Sequence, residues 1–120
     1  MVKLIETPAR IKASGNKEKV IQEFIGHVNS KTHSVSIARM TSPEGWEEPG
    51  QTPEFDEYTL VLNGSLRVQT TSEFIDVTAG QAIIVSQKEW VKYSSPYPGG
   101  AEYIAVCLPA FHPDLVHRDE

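Results

Sequence analysis

Gly45-Trp46-Glu47-Glu48-Pro49-Gly50-Gln51-Thr52-Pro53-Glu54-Phe55-Asp56-Glu57-Tyr58-Thr59-Leu60-Val61-Leu62-Asn63-Gly64 is the stretch on which the reading of this chain turns. Glycine and proline break its first third, and its last third alternates like a strand. Alternation at period two sends Glu57, Thr59 and Val61 to one face and Tyr58, Leu60 and Leu62 to the other. Both faces are largely apolar, so the strand needs cover on both, from another sheet or from a second subunit. Asn63-Gly64 tolerates positive φ at both positions and predicts a tight hairpin leading into the next apolar run.

Working outward, short runs of β-branched and aromatic residues recur between clusters of Gly, Pro, Asn and Ser, the pattern of an all-β sandwich or barrel. The predicted strands are Ala9–Lys12, Lys19–Ile25, Ser34–Met40, Tyr58–Leu62, Leu66–Thr70, Phe74–Val77, Ala82–Val85, Val91–Ser94 and Glu102–Leu108. One segment is ambiguous. In Lys17–Val28, Val20, Phe24 and Val28 also fit a short amphipathic helix, but Gly26 and the turn-like Asn29-Ser30-Lys31-Thr32 favour a strand that ends there and returns through Ser34. The tail from Pro109 to Leu115 carries two prolines and is expected to be irregular, closing one mouth of the barrel or packing on a partner through Phe111 and Leu115.

The spacing within these segments resembles that of the cupin superfamily. With five residues between, Gly45 is followed by Gln51-Thr52-Pro53, then with three between by Glu57, and with six between by Gly64, which keeps the register of the first cupin motif with both of its histidines replaced. In the second motif Gly80 takes the first position, and the register then puts Ser86, Lys88, Val91 and Ser95 where the family carries proline, glycine, histidine and asparagine. The third histidine is therefore also absent. The resemblance covers about half the chain and implies one cupin-type jelly-roll barrel, a double-stranded β-helix, over residues 1–120. The segment Glu54-Phe55-Asp56-Glu57 ahead of an apolar strand and Asn63-Gly64 is also similar to that of ethanolamine-utilisation cupins, which lack the same histidines.

Cupins of the usual kind hold a transition ion with three imidazoles and one carboxylate. Here only Glu57 survives, beside the weak amide oxygen of Gln51, so no cofactor and no tightly held metal are expected. The remaining histidines do not restore the set, since His27 and His33 flank a turn and His112 and His117 lie in the tail. By resemblance the motif glutamate faces the cavity. That implies an inward set of Gln51, Glu57, Thr59, Val91 and Tyr93, with Trp46 and Trp90 at the mouth and Glu48 in the acid-rich loop. A carboxylate, an amide and a phenol in an apolar barrel are what fixes a small polar molecule in place. Clustered acids raise one another's pKa, so Glu57 is the candidate general base, and a cationic or polyhydroxy ligand is favoured. Cys107 sits in an apolar run and reads as a core thiol.

Composition limits the function classes further. Of 120 residues, 39% are hydrophobic and 22% charged, which suits a folded domain rather than a disordered chain. The 16 acids against 11 Lys and Arg give a net charge of -5, which opposes a phosphate backbone, so no nucleic-acid partner is expected. No membrane span or signal peptide is recognisable, and a cytoplasmic protein is expected. Three functions fit this reading: a barrel that holds a small polar metabolite, a metal-independent isomerase, epimerase or lyase acting on a sugar or carboxylic acid through Glu57, and an oligomerising scaffold. Resemblance to cupins implies a homodimer, and the apolar outer face of Tyr58, Leu60 and Leu62 is compatible with that.

Overall fold

Nine strands and one helical turn make up the computed structural model, which describes residues 1–120. The strands are β1 (Ala9–Ile11), β2 (Val20–Ile25), β3 (Ser36–Ser42), β4 (Trp46–Glu47), β5 (Asp56–Gln69), β6 (Phe74–Thr78), β7 (Ala82–Val85), β8 (Lys92–Ser95) and β9 (Ala101–Leu108). Every pairing is antiparallel. The first sheet runs β1-β2-β3-β9, then the first half of β5, then β7. The second is formed by the other half of β5 with β6 and β8, and β8 carries β4 at its edge. Curled together, they form the jelly-roll barrel expected from the sequence.

The tight hairpin at Asn63-Gly64 does not form. Gly64 does take positive φ, +75°, but within a continuous strand of 14 residues. The register against β9 shifts between Val61 and Asn63, a bulge that bends β5 from one sheet into the other. Asn-Gly permits a left-handed residue, and both a turn and a bend use one, so the dipeptide alone does not choose between them. Here the choice is fixed by packing, because a Cβ at position 64 would run into the Gly100 carbonyl oxygen. The true hairpin follows Gln69, where Thr70 Oγ1 accepts from the Ser72 and Glu73 amides at 3.2 and 3.1 Å.

The Lys17–Val28 segment is a strand over Val20–Ile25, and its backbone is bonded on both sides, to β1 and to β3. In the tail, the expectation of an irregular segment is corrected by one helical turn, α1 (Pro113–Val116). Pro113 stands at its start, where a missing N–H costs nothing, and His112 Nδ1 accepts from the Asp114 amide at 3.0 Å. No helix is long and apolar enough to cross a membrane.

Alternation decides what each sheet buries. Trp46, Val61, Leu66, Val68, Val77 and Val91 form the main core between the sheets, and each is 3% exposed or less. Full burial of side chains this size is worth about 1.5–3 kcal/mol apiece. A second, smaller cluster of Phe55, Cys107 and Val116, backed by Phe111 and Leu115, pins the tail to the barrel. On the outer face Tyr58, Leu60, Leu62, Ile84 and Leu108 stay at least 40% exposed, so the chain itself does not supply the cover they need.

Candidate functional site

Glu57 enters the barrel because β5 alternates from it: Glu57 opposes Cys107 of β9, and Thr59 opposes Ala105. The loop after β4 then runs beside β8. Gln51 and Val91 exchange two backbone hydrogen bonds of 2.9 Å, and the Glu48 amide donates to Tyr93 O at 3.3 Å. The chain's tail lies along the other edge of that loop, with Thr52 N donating to His117 O at 3.2 Å, Glu54 N to Leu115 O at 2.8 Å and Asp119 N to Gly50 O at 2.8 Å. Trp90 Nε1 donates to Asp119 at 2.8 Å, and His117 pairs with Glu54. The tail is thus a strap across the mouth, and it delivers Phe111 and Arg118 to the interior.

Between strap and core lies a cavity of about 180 Å³. Its lining includes the apolar side chains of Ile21, Met40, Phe55, Ala105 and Phe111. It also includes polar ones, among them Lys12, Lys19, Glu23, Glu48, Gln51, Glu57, Tyr93 and Arg118. Lys19 Nζ lies 4.1 Å above the Trp46 ring and 5.2 Å from that of Tyr103, so its cation is held by aromatic faces. Burial lowers the Lys19 pKa, but Tyr103 and the Glu48 carboxylate more than offset this, and the ammonium is raised on balance.

The two carboxyls are pushed toward their neutral forms. Glu57 is raised from an ordinary 4.5 to about 7, first by burial and then by the Glu48 charge, with Lys19, Arg118 and Tyr93 opposing. Part of its surface is free, but that surface faces the cavity rather than bulk water. Glu48 is raised by burial, with Lys19 and Arg118 opposing. Tyr93 is held well above the ordinary tyrosine range by burial and the Glu57 charge, so it is a neutral phenol. Burial likewise keeps Cys107 a thiol.

These groups satisfy one another only in part, Tyr93 acting on Glu57 and Tyr103 on Lys19 as hydrogen-bond neighbours. No ion pair joins Lys19 or Arg118 to Glu48 or Glu57. Gln51 Oε1, Tyr93 Oη and Arg118 Nε are buried without a hydrogen-bond partner. Buried polar atoms are nearly always bonded, and an unmet one costs about 1–3 kcal/mol, so three around one cavity mark it as built to receive polar atoms.

The structure gathers Glu48, Gln51, Glu57 and Tyr93 in the lining of one cavity. Trp46 and Thr59 are not in it. Trp46 is fully buried in the core behind Lys19, its Nε1 donating to Ser14 O at 3.1 Å, and Thr59 is 2% exposed between β7 and β9. Val91 belongs to the core, and Trp90 sits outside against the strap. The sequence reading missed Lys19 and Arg118. Alternation through Lys19, Ile21 and Glu23 was the available signal for Lys19, while nothing local marks Arg118.

The donors at the cupin metal positions do not fit a transition ion. Val91 and Pro53 offer no ligating side chain, Gln51 offers a neutral amide, and the one carboxylate, Glu57, is faced by Lys19 and Arg118. Elsewhere His27 and His33 bring their Nδ1 atoms to 2.8 Å, with His112 packed edge-on to His27, but no group of three or more His, Cys, Asp or Glu side chains is arranged to hold a metal.

No family model matches the chain. Solved structures do resemble it. The polyketide cyclase RemF of Streptomyces resistomycificus is 18% identical, with a TM-score of 0.77 over 100% of this chain and 87% of that one. Oxalate decarboxylase of Bacillus subtilis is 15% identical, with a TM-score of 0.76 over 95% of this chain and 31% of that one. The EutQ protein of Clostridium difficile is 21% identical, with a TM-score of 0.64 over 79% of this chain and 66% of that one. At these identities the likeness carries the fold alone. A curated relative, Endoribonuclease YbeY of Myxococcus xanthus, is 41% identical over 101 residues, 84% of this chain. The chain spans only 34% of that protein's length.

Proposed function

Because this chain is a cupin-fold barrel, we propose that it binds a small metabolite in the barrel cavity without a tightly held transition metal. The observation that carries the reading is that Gln51 Oε1, Tyr93 Oη and Arg118 Nε, all buried and without a hydrogen-bond partner, belong to residues lining one cavity together with Glu57. A small ligand with polar atoms gives them partners, and the apolar side chains of the lining pack on the rest of it. A thermal-shift screen of metabolites on the purified protein tests this, with Gln51→Leu and Glu57→Gln as comparators. Ligands that raise the melting temperature of the wild type but not of the variants support it; a screen without any such ligand refutes it. Metal analysis of protein prepared without chelator tests the second clause, and one equivalent of Fe, Mn, Ni or Zn lost on Glu57→Gln would overturn it.

One observation favours a catalytic second reading. A carboxyl with a pKa of about 7 is suited to take and return protons near neutrality, and the neutral Tyr93 phenol lies beside it as a donor. An isomerase, epimerase or lyase acting through Glu57 as general base would use both. Turnover of a ligand found in the screen, lost on Glu57→Gln, distinguishes it from simple binding.

The ribonuclease named for the Myxococcus relative is not carried over. That protein is about three times as long as the matched segment, and a chain of net charge -5 repels a polyanion. We also propose a homodimer through the outer face of β5, β7 and β9, where Tyr58, Leu60, Leu62, Ile84 and Leu108 are exposed side by side.

A further inference from the structure

We infer that the cavity takes a small monocarboxylic acid with an apolar body, its carboxylate directed to Lys19 and Arg118. The inference rests on the binding reading above and names the class of ligand. The acids around Glu57 in the sequence favour a cationic or polyhydroxy ligand, and the folded chain reverses that preference.

Charge is the first argument. Lys19 and Arg118 come from opposite ends of the chain to face the same two carboxyls, Glu48 and Glu57. The cations are fixed, since a guanidinium does not deprotonate in proteins and Lys19 is held over Trp46. The carboxyls are the groups that burial drives toward neutrality. Lys12 and Glu23 also line the cavity, and the Glu23 carboxylate is already bonded to the Val28 and Asn29 amides at 3.1 and 2.9 Å, so three cations face two carboxyls that burial holds back from ionising, and a neutral carboxylic acid is itself a donor to an anion.

The approach to the cavity is the second argument. A surface groove beside it shares Ile11, Lys12 and Lys19 with its wall and adds Arg10 and Lys17. Glu18 is its one acid, and that carboxylate is taken by Arg10 at 3.1 Å. On a chain of net charge -5 this is a local cationic path that leads to Lys19, which attracts anions and repels amines.

Size and polarity complete the choice. The cavity holds about six water-sized bodies at ~30 Å³ each, room for a molecule of about six to ten non-hydrogen atoms. About half of the lining residues are hydrophobic, Ile21, Met40, Phe55, Ala105 and Phe111 among them, and they offer a polyol no partner for its hydroxyls, each of which costs about 1–3 kcal/mol if buried unmatched. A dianion such as phosphate would meet the same apolar side chains with a second charge.

Calorimetric titration of the full chain with benzoate, hexanoate, benzamide, benzylamine and erythritol tests the inference. Benzoate or hexanoate should bind at least tenfold more tightly than benzamide, and benzylamine and erythritol should not bind. Arg118→Gln, in the strap and outside the core, should weaken carboxylate binding at least tenfold and leave benzamide unchanged; Lys19→Met should do the same if it folds. Equal affinity for benzoate and benzamide, or carboxylate binding untouched by Arg118→Gln, overturns the inference. Binding of benzylamine or erythritol in place of the carboxylates also overturns it while sparing the cavity-binding reading. If none of the five binds, the inference falls, and the metabolite screen decides the cavity-binding reading.

Discussion

Replacing Glu57 by Gln should make this protein more stable, and only at neutral and alkaline pH. The carboxyl is moved from 4.5 to about 7 on folding, chiefly by burial. Below about pH 4.5 it is protonated in the folded and unfolded chains alike and contributes no difference. As the pH rises from there to about 7 the unfolded chain gives up this proton and the folded chain keeps it, so stability falls by about 1.4 kcal/mol per pH unit and then levels off. The whole penalty is about 3 kcal/mol at pH 8. Gln has the same shape and no proton to lose, so Glu57→Gln should gain about 2–3 kcal/mol over the wild type at about pH 8. In a chain of this size that is a rise of about 10 °C in melting temperature, and near pH 4.5 the two proteins should melt together. Urea denaturation of both proteins across this range measures it. A stability difference that does not vary with pH, or a variant weaker than the wild type at pH 8, would refute the assignment of Glu57 as a buried carboxyl held near neutrality.

Three further outcomes follow from the packing. Gly64→Ala combines a strained positive φ with a collision against the Gly100 carbonyl, and should cost about 2–4 kcal/mol in denaturant titrations; a loss under 1 kcal/mol would show that the β5 bend is not held there. Phe55→Ala empties the small cluster that holds the strap, so a loss of about 3–5 kcal/mol should come with earlier proteolysis after Pro109, and unchanged cleavage would show that the strap is held by its hydrogen bonds alone. Leu60→Glu places a charge in the exposed face of β5 and should turn the proposed dimer into a monomer in sedimentation analysis with little change in fold; a wild type that is monomeric at tens of micromolar would remove the dimer.

Much of the fold was legible because alternation is a local property. Glu57, Thr59 and Val61 point inward and Tyr58, Leu60 and Leu62 outward, as their spacing requires. Motif glycines at 45, 64 and 80 all take positive φ, which is the conformation that gives such spacing its meaning. What local reading does not reach is the choice between two structures that make the same demand on one residue, and Asn63-Gly64 is the case in point. The site divides along the same line. Glu48, Gln51, Glu57 and Tyr93 lie within the motif register and came out lining one cavity, but Thr59 and Trp46 share that register and are turned into packing. Lys19 was hidden just ahead of β2, where the face through Lys19, Ile21 and Glu23 and the face through Val20, Gln22 and Phe24 are equally mixed. Arg118 reaches the cavity only because a tail pinned by Phe111 and Val116 folds back over the mouth, and no short-range pattern encodes that return.

The bend of β5 at Gly64 has a kinetic meaning. One uninterrupted strand serves both sheets, so neither half of the barrel has a complete set of ladders until the other is in place. Its main partner, β9, joins it across some 40 residues of intervening chain, and β3 must wait for β9 in turn. Closing such distant pairs before any packing rewards them places this topology among the slower two-state folders, in milliseconds to seconds. Unfolding by the same route should be all-or-none, with the amides of β5, β9 and β3 exchanging their hydrogens together and only through global opening.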